Sequence, residues 1–164
     1  MRYFRVTPRQ EPARAFDGSG AASSPGRWNQ RGQRAVYLSS RLPLGLLEVI
    51  VQDSTSSLNG YGFYPVEIPD DIHLDAIDRN RLSRAWRTGR AGRPECRDLV
   101  QPWWDGQHPC GFIVPSAVLP EAFGYGDFNA VIDPGHPDFA RLTIGGFTAL
   151  TIDDRLTTII SSST

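Results

Sequence analysis

The stretch AVYLSSRLPLGLLEVIVQD, residues 35–53, contains a clear predicted strand followed by a predicted helix. Its first five residues, 35–39, predict a β-strand, because they form a short run of apolar side chains and a tyrosine without the spacing of three to four residues that is typical of a helix. Ser40 is suited to cap a helix, and Pro43 fits the first turn of one, so the sequence predicts a helix that runs to about Asp53.

Strands dominate the rest of the chain. The other predicted strands are residues 3–6, 61–68, 110–114 and 128–132. The pair Gly145-Gly146 predicts a hairpin that joins 141–144 to 147–152. The fold class that follows is α+β, a mixed β-sheet core with a few inserted helices.

Two long segments separate these strands. Residues 8–34 are rich in Gly, Ser, Pro and Arg and predict a long loop, which is either disordered or functional. Residues 75–107 predict helical pieces with a break at 89–92. Because no linker or repeat divides the chain, we expect a single domain over residues 1–160 and a frayed tail at 161–164.

The helix after Pro43 is apolar around most of its circumference. Only a narrow sector, which holds Gly45, Glu48 and Gln52, is polar or small, so we expect a largely buried helix whose carboxylate faces a gap. Glu48 is either an ordinary solvent-facing residue or a catalytic carboxylate at the floor of a cleft.

The basic residues of this chain are all arginine. The 164 residues contain 17 Lys+Arg against 18 Asp+Glu, and no lysine occurs among them. The absence of lysine excludes Schiff-base chemistry and the P-loop type of phosphate site. Any bound anion must therefore be held by arginine, backbone amides or a metal, although codon preference is sufficient to explain the composition.

Charge and cysteine usage indicate a cytoplasmic protein. A net charge of −1 does not favour direct nucleic-acid binding. No apolar run is long enough to span a membrane, and the N-terminus lacks a signal-peptide core. Cys96 and Cys110 predict free thiols rather than a zinc site, so we expect no metal.

Four further positions are candidates for chemistry. Arg27 and Asn29 close the long loop, Tyr37 lies on the strand after it, and Ser116 follows the strand at 110–114. Arg27 lies on a loop, Tyr37 on the following strand and Glu48 on the next helix. These three side chains could meet at one end of that strand. No G-x-S-x-G elbow surrounds Ser116, so a serine hydrolase is not favoured.

These positions resemble the RES family, which is named for its Arg, Glu and Ser. The motifs that carry the resemblance are Gly26-Arg27-Trp28-Asn29, the Tyr37 strand, Leu-Leu-Glu48-Val, Val-Pro-Ser116-Ala-Val, Tyr-Phe-Arg5-Val and His136-Pro137-Asp138-Phe139. They follow in order nearly from end to end of the chain. One departure is Asp133-Pro134, where many members of the family have Asn-Pro.

The resemblance implies an ADP-ribosyltransferase-like fold and a bacterial toxin that acts on NAD+. It also implies an Xre-like antitoxin as the partner that holds the toxin inactive. In such a site Glu48 would stabilise an oxocarbenium-like transition state, and Tyr37 would offer its ring to the nicotinamide. Ser116 would orient the site by a hydrogen bond.

The remaining roles concern the dinucleotide. Arg27, helped by Arg5, would hold the pyrophosphate, while Asn29 would fix the loop or touch the ligand. The acceptor of ADP-ribose stays open: water or phosphate would deplete NAD+, whereas a protein side chain would make the chain a target-modifying transferase. A non-catalytic binding module is a third alternative.

One cluster has no role in this scheme. Seven arginines occur between Arg79 and Arg97, within 19 residues. They predict either a solvated surface or a docking surface for an acidic partner such as the antitoxin.

Overall fold

In the computed structural model, the described residues (1–52, 58, 60–106, 109–153 and 155) form one eight-stranded sheet. The strands are β1 Arg2–Pro8, β2 Val36–Ser39, β3 Tyr61–Glu67, β4 Leu74–Ala76, β5 Gly111–Val114, β6 Asn129–Ile132, β7 Thr143–Ile144 and β8 Thr148–Ala149. Their order is β4-β5-β6-β2-β1-β3-β7, and β8 also pairs with β3. Every pairing is antiparallel except that of β4 with β5. The predicted frayed tail lies outside the described residues.

Four α-helices connect these strands in the part of the chain that the structure describes. They are α1 Pro12–Ala15, α2 Ser19–Ser23, α3 Leu42–Gln52 and α4 Arg93–Asp105. Three 3-10 turns follow at Arg79–Arg81, Pro120–Tyr125 and Pro137–Arg141. The predicted α+β class, with a mixed sheet and a few inserted helices, is confirmed.

The two faces of the sheet carry different elements. Successive side chains of a strand point to opposite faces, and the register pairs Phe4 with Ser39 and Ser39 with Asn129. These three side chains therefore share a face, which we call the helix face because α3 and α4 both pack on it. The opposite face carries α1 and an apolar core that includes Tyr3, Leu38, Tyr64 and Ile132.

On the helix face, α3 and α4 cover different halves of the sheet. The α3 side chains Leu46 and Ile50 pack with Val6 of β1. The α4 residues Cys96 and Val100 pack with other apolar side chains of β5 and β6. The strand between these halves is β2, so its helix-face side chains lie between the two helices.

The long loop predicted at 8–34 is more structured than expected. It contains the short helices α1 and α2, and the buried residues Ala15 and Phe16 join the core of the opposite face. Helices of 4 and 5 residues are too short to leave a periodic pattern in the sequence.

The helical prediction was wrong for most of residues 75–88, whereas the predicted break at 89–92 and the helix after it are confirmed. Residues 74–76 form β4, which pairs parallel with β5, and residues 79–92 form a 3-10 turn and further turns before α4 begins at Arg93. A three-residue strand carries too little alternation to be recognised, and its pairing partner lies far along the chain. The arginines at 81, 84 and 87 consequently do not share a helix face.

The predicted hairpin across Gly145-Gly146 was also wrong. Both β7 and β8 pair with β3, and the register shifts by one residue between Val66↔Ile144 and Phe63↔Thr148. The shift marks a bulge opposite Pro65, whose carbonyl accepts a hydrogen bond from the Gly145 N–H at 2.8 Å. Because proline has no N–H to donate on that side, the edge strand cannot pair continuously there.

The prediction for α3 needs one correction. Gly45 is buried, and a Cβ on it would lie 2.8 Å from Val6 Cγ2, so the glycine lets the helix approach the sheet rather than a ligand. Val51, expected to be buried, is 63% exposed. Gly45 of the small, polar sector therefore faces the sheet, whereas Gln52 is exposed, and part of the apolar surface of α3 faces solvent.

Candidate functional site

The Glu48 carboxylate is fixed by two side chains from other elements. Ser116 Oγ donates a hydrogen bond to Glu48 Oε1 at 2.7 Å, and Asn129 Nδ2 donates to the same oxygen at 2.6 Å. The described part of the chain provides no hydrogen-bond donor for Oε2. One oxygen is thus held by the protein while the other is free to meet a ligand.

Ser116 is positioned by the turn after β5. It is fully buried, and its hydroxyl oxygen accepts the backbone N–H groups of Val118 at 3.0 Å and Leu119 at 3.2 Å. With these two donors on its oxygen, the hydroxyl can direct its own proton to Glu48. Sequence reasoning predicted that Ser116 orients the site, and the structure places it in contact with Glu48.

Asn129 and Ser39 are part of this network, and sequence analysis did not identify them. Ser39 Oγ donates to Asn129 Oδ1 at 2.7 Å, which directs the amide Nδ2 toward Glu48. The two residues are register partners across β2 and β6. Each looks ordinary in the sequence, because only the pairing of strands 90 residues apart brings them together.

Tyr37 lies next to this network on the helix face. It is two residues from Ser39 on β2, and alternation therefore places both side chains on the same side of the sheet. The Tyr37 hydroxyl donates to Asn29 Oδ1 at 2.8 Å and accepts the Trp28 N–H at 3.2 Å. Burial raises the pKa of Tyr37, and the Trp28 N–H and nearby arginines offset part of this effect.

Asn29 organises the loop around Tyr37. Its side chain is fully buried, and its Nδ2 donates to the carbonyls of Ala21, Gln30 and Gln33 at 2.9 to 3.1 Å. Its Oδ1 accepts the Gly26 N–H as well as the Tyr37 hydroxyl. Of the two roles that the sequence left open, this geometry corresponds to fixing the loop; a contact with a ligand stays a prediction.

Arg27 joins the loop to the segment before α4. Its guanidinium donates to the carbonyl of Trp86 and, at 3.1 Å, to the carbonyl of Gly89, and it lies over the Trp86 ring at 5.7 Å. These contacts hold residues 86–89 beside the Tyr37 loop. A role for Arg27 in binding pyrophosphate stays a prediction.

Arg5 approaches from the opposite side of the sheet. It follows Phe4 on β1, so its side chain starts on the face away from α3. Its guanidinium donates to the carbonyls of Tyr37 at 3.1 Å and Ala15 at 3.4 Å, and burial lowers its pKa. Arg5 also lines a cavity of about 200 Å³ with Arg14 and the Gly18–Ala21 backbone. Its help in holding a pyrophosphate stays a prediction.

The arginine-rich segment divides into two groups. Arg79, Arg81, Arg84, Arg87 and Arg90 are exposed. Arg93 and Arg97 are partly buried on α4, and Arg97 Nη2 donates to the carbonyl of Gly26 at 2.8 Å. The segment is therefore not a uniformly solvated surface, and its use as a docking surface for an acidic partner stays a prediction.

The two cysteines are buried within the fold. Cys96 and Cys110 are free and buried, and burial raises the pKa of each thiol to about 11. Among the described residues no group of three His, Cys, Asp or Glu side chains is placed to hold a metal ion. Within the same residues, no helix is long and apolar enough to cross a membrane.

Comparison with known proteins adds independent information. The family model of the RES domain matches residues 2–153. The chain is 30% identical over 141 residues to "Toxin Res" of Yersinia enterocolitica, with 85% of this chain and 88% of that protein covered. It is 32% identical over 127 residues to the "Prs ADP-ribosylating toxin" of Sphingobium sp. (strain YBL2), with 75% and 74% covered.

A solved structure has the same fold. A chain in the crystal structure of the M. tuberculosis MbcT-MbcA toxin-antitoxin complex superposes with a TM-score of 0.71 at 20% identity. The match covers 98% of this chain and 88% of that one. The expected α+β fold, a mostly antiparallel sheet with few helices, is shared with that chain, and the ADP-ribosyltransferase-like character of the fold stays a prediction.

Proposed function

Because this chain belongs to the RES domain family, we propose that it is the toxin of a toxin–antitoxin pair and cleaves the nicotinamide–ribose bond of NAD+. The observation that carries the proposal is the Glu48 carboxylate, with Oε1 bound by Ser116 and Asn129 and Oε2 left without a donor from the described residues. An oriented carboxylate is the group that a developing oxocarbenium ion requires.

The reaction needs no general acid. The bond between the ribose C1′ and the nicotinamide nitrogen breaks, its electron pair stays with the nitrogen, and nicotinamide leaves as a neutral molecule. Glu48 Oε2 accepts a hydrogen bond from a ribose hydroxyl, and its negative charge stabilises the positive charge on the sugar. An acceptor oxygen then bonds to C1′ and releases its proton to solvent.

The other site residues hold the substrate and the carboxylate in place. Tyr37 presents its ring on the same face as the Glu48 network, and the bonds of its hydroxyl to Asn29 and Trp28 fix the plane of the ring. A fixed aromatic face suits the cationic nicotinamide ring before cleavage. We propose that Arg27 binds the pyrophosphate of NAD+ and that Arg5, whose side chain starts on the opposite face of the sheet, assists it.

For the acceptor we propose water or phosphate, so that the outcome is NAD+ depletion. A second candidate, transfer to a protein side chain, is favoured by one relative, whose name is "Prs ADP-ribosylating toxin". Incubation of a lysate with NAD+ labelled in the adenylate half separates them: a labelled protein band supports transfer, and free labelled product with no band supports depletion.

Nicotinamide release from purified protein and NAD+ tests the reaction itself. Glu48→Gln keeps the size and hydrogen-bonding capacity of the side chain but removes the charge, so we expect release to fall by about 100-fold or more. Glu67→Gln, which alters a carboxylate paired with Arg2 on β1, is the matched control and retains full activity.

Growth inhibition gives a second measurement. Expression of the wild type in a bacterium arrests growth, whereas a Glu48→Ala variant that folds does not. Full toxicity of the Glu48→Ala variant contradicts the assignment. Absence of nicotinamide release by the wild type, alone and in lysate, leaves a non-catalytic binding module of the same fold as the explanation.

We further propose an Xre-like antitoxin as the partner, and the cytoplasm, where NAD+ is available, as the place of action. Support comes from the fold neighbour, whose structure is a toxin–antitoxin complex. Co-expression with the protein of the adjacent gene tests this: a stable complex without nicotinamide release supports the proposal, and unchanged activity with no complex contradicts it.

A further inference from the structure

Arg93 and Arg97 lie one turn apart on α4 and reach toward the loop that holds Tyr37. Residues four apart share a helix face. Arg97 Nη2 donates to the Gly26 carbonyl at 2.8 Å, and a Cβ on Gly26 would lie 2.5 Å from the Tyr37 hydroxyl. Arg97 therefore borders the candidate site on the side away from α3, and both arginines lie close enough to Tyr37 to offset part of the rise of its pKa.

Their positive charges are not neutralised within the described part of the chain. Other arginines form ion pairs within 4.0 Å, such as Arg2 with Glu67 and Arg41 with Asp127. The described residues place no carboxylate within 4.0 Å of Arg27, Arg93 or Arg97. The three guanidiniums thus approach one another without a counter-charge.

Arg93 is the least satisfied of the three. Its Nε is buried without a hydrogen-bond partner, as is the Nε of Arg97. No described residue accepts a hydrogen bond from the rest of the Arg93 guanidinium. Burial, followed by repulsion from Arg27, Arg97 and Arg90, lowers the pKa of Arg93. An arginine that served only the fold would be expected to have a carboxylate or carbonyl partner.

We propose that Arg93 and Arg97, with Arg27 beside them, form a subsite for a phosphoryl group next to Tyr37. A phosphoryl group supplies the acceptors and the negative charge that the cluster lacks, and planar guanidiniums bind phosphate oxygens in pairs. The subsite extends the proposed function: its phosphoryl group belongs either to the pyrophosphate of NAD+ or to a free phosphate that acts as acceptor.

Direct binding tests the subsite without any catalytic step. Titrations of ADP-ribose and of inorganic phosphate are measured calorimetrically on the Glu48→Gln protein and on the same protein with Arg93→Gln added. We expect Arg93→Gln to raise the Kd for at least one of these two ligands about tenfold, because a charge-assisted contact is lost. Arg93 is preferred to Arg97 because its loss breaks no hydrogen bond to the described protein.

Arg84→Gln is the matched control. Arg84 belongs to the same arginine-rich segment and is exposed, so its substitution removes one positive charge without touching the subsite. Arg84→Gln is expected to change both affinities by less than about twofold. The variant Arg93→Lys, which keeps the charge and loses the paired donors, should bind with intermediate affinity.

Thermal unfolding gives a signature that a structural arginine would not produce. Phosphate should raise the Tm of the wild type more than chloride at equal ionic strength, because it binds only the folded state. Arg93→Gln should unfold at a higher Tm than the wild type without phosphate, since repulsion is relieved, and should lose the specific response to phosphate.

Kinetics identifies the source of the phosphoryl group. An Arg93→Gln variant with an elevated KM for NAD+ in phosphate-free buffer places the pyrophosphate in the subsite. An unchanged KM for NAD+ with loss of activation by inorganic phosphate places the acceptor there. If Arg93→Gln matches Arg84→Gln in both affinities and in the response of Tm to phosphate, the proposal is overturned. The binding and Tm results hold even if the wild type proves not to cleave NAD+.

Discussion

Substitution of Asn129 by Asp gives the sharpest test of the Glu48 network. The two side chains have the same shape, but an oxygen replaces the Nδ2 atom that donates to Glu48 Oε1 at 2.6 Å. The change removes a hydrogen bond and places two carboxylates in contact. The Ser39 hydroxyl, which donates to Asn129 Oδ1, can still donate to the new side chain.

The magnitude follows from the distance. Two unit charges 2.6 Å apart repel by about 6 kcal/mol at an effective dielectric constant of 20 and by about 2 kcal/mol in water. Repulsion of this size raises the pKa of the more weakly acidic member of the carboxyl pair by roughly one to four pH units. At the upper end of this range the pair shares a proton at neutral pH, and the charge needed opposite the sugar is weakened.

The assay is nicotinamide release measured from pH 5 to pH 10. The Asn129→Asp variant should lose most activity at pH 7 and recover part of it as the pH rises and the second proton leaves. Asn129→Ala, which removes the donor without adding charge, should lose about 10- to 100-fold in kcat/KM with no shift of the pH profile. Ser39→Ala should lose less, because it acts only by orienting the amide.

The outcome that would refute this reasoning is specific. An Asn129→Asp protein with the wild-type rate and pH profile would mean that the contact with Glu48 does not govern the carboxylate. Circular dichroism and Tm establish that each variant is folded. Loss of activity at every pH with no recovery would instead show that the hydrogen bond, rather than the charge, is what matters.

Two further predictions concern packing and burial. Gly45→Ala should lower the free energy of unfolding by about 1 to 2 kcal/mol in urea titrations, because the new methyl group would lie 2.8 Å from Val6 Cγ2. Gly20→Ala, in α2 with no atom within 4 Å of the added Cβ, should have no such effect; equal destabilisation by both contradicts the close approach of α3. Cys96 and Cys110, each with a pKa raised to about 11 from a usual value of 9.0, should react with a disulfide reagent at pH 8 only after unfolding. Rapid labelling of the native protein would contradict this burial. The neutral thiols favour the folded state fully below pH 9, and this contribution is lost as the pH rises to 11. Unfolding titrations should therefore show a falling free energy of unfolding between pH 9 and pH 11, and the fall should be smaller for Cys96→Ala.

Elements with local signals could be predicted from the amino-acid sequence. The strand at 35–39, the helix after Pro43 and four of the other strands could be predicted because caps, proline positions and alternation act over a few residues. The separate motifs around Arg27, Tyr37, Glu48 and Ser116 were also sufficient to identify the family, since their order along the chain is itself information.

The contacts between these residues depend on tertiary packing and could not be predicted from the sequence. Asn129 was not predictable as a partner of Glu48, because the contact depends on the register between β2 and β6. Gly45 and Arg93 also depend on the tertiary structure: the glycine lets α3 approach Val6, and the arginine has a buried Nε without a hydrogen-bond partner among the described residues. Hydrogen bonds and charges act through space over a few ångströms, whereas sequence patterns record only neighbours along the chain.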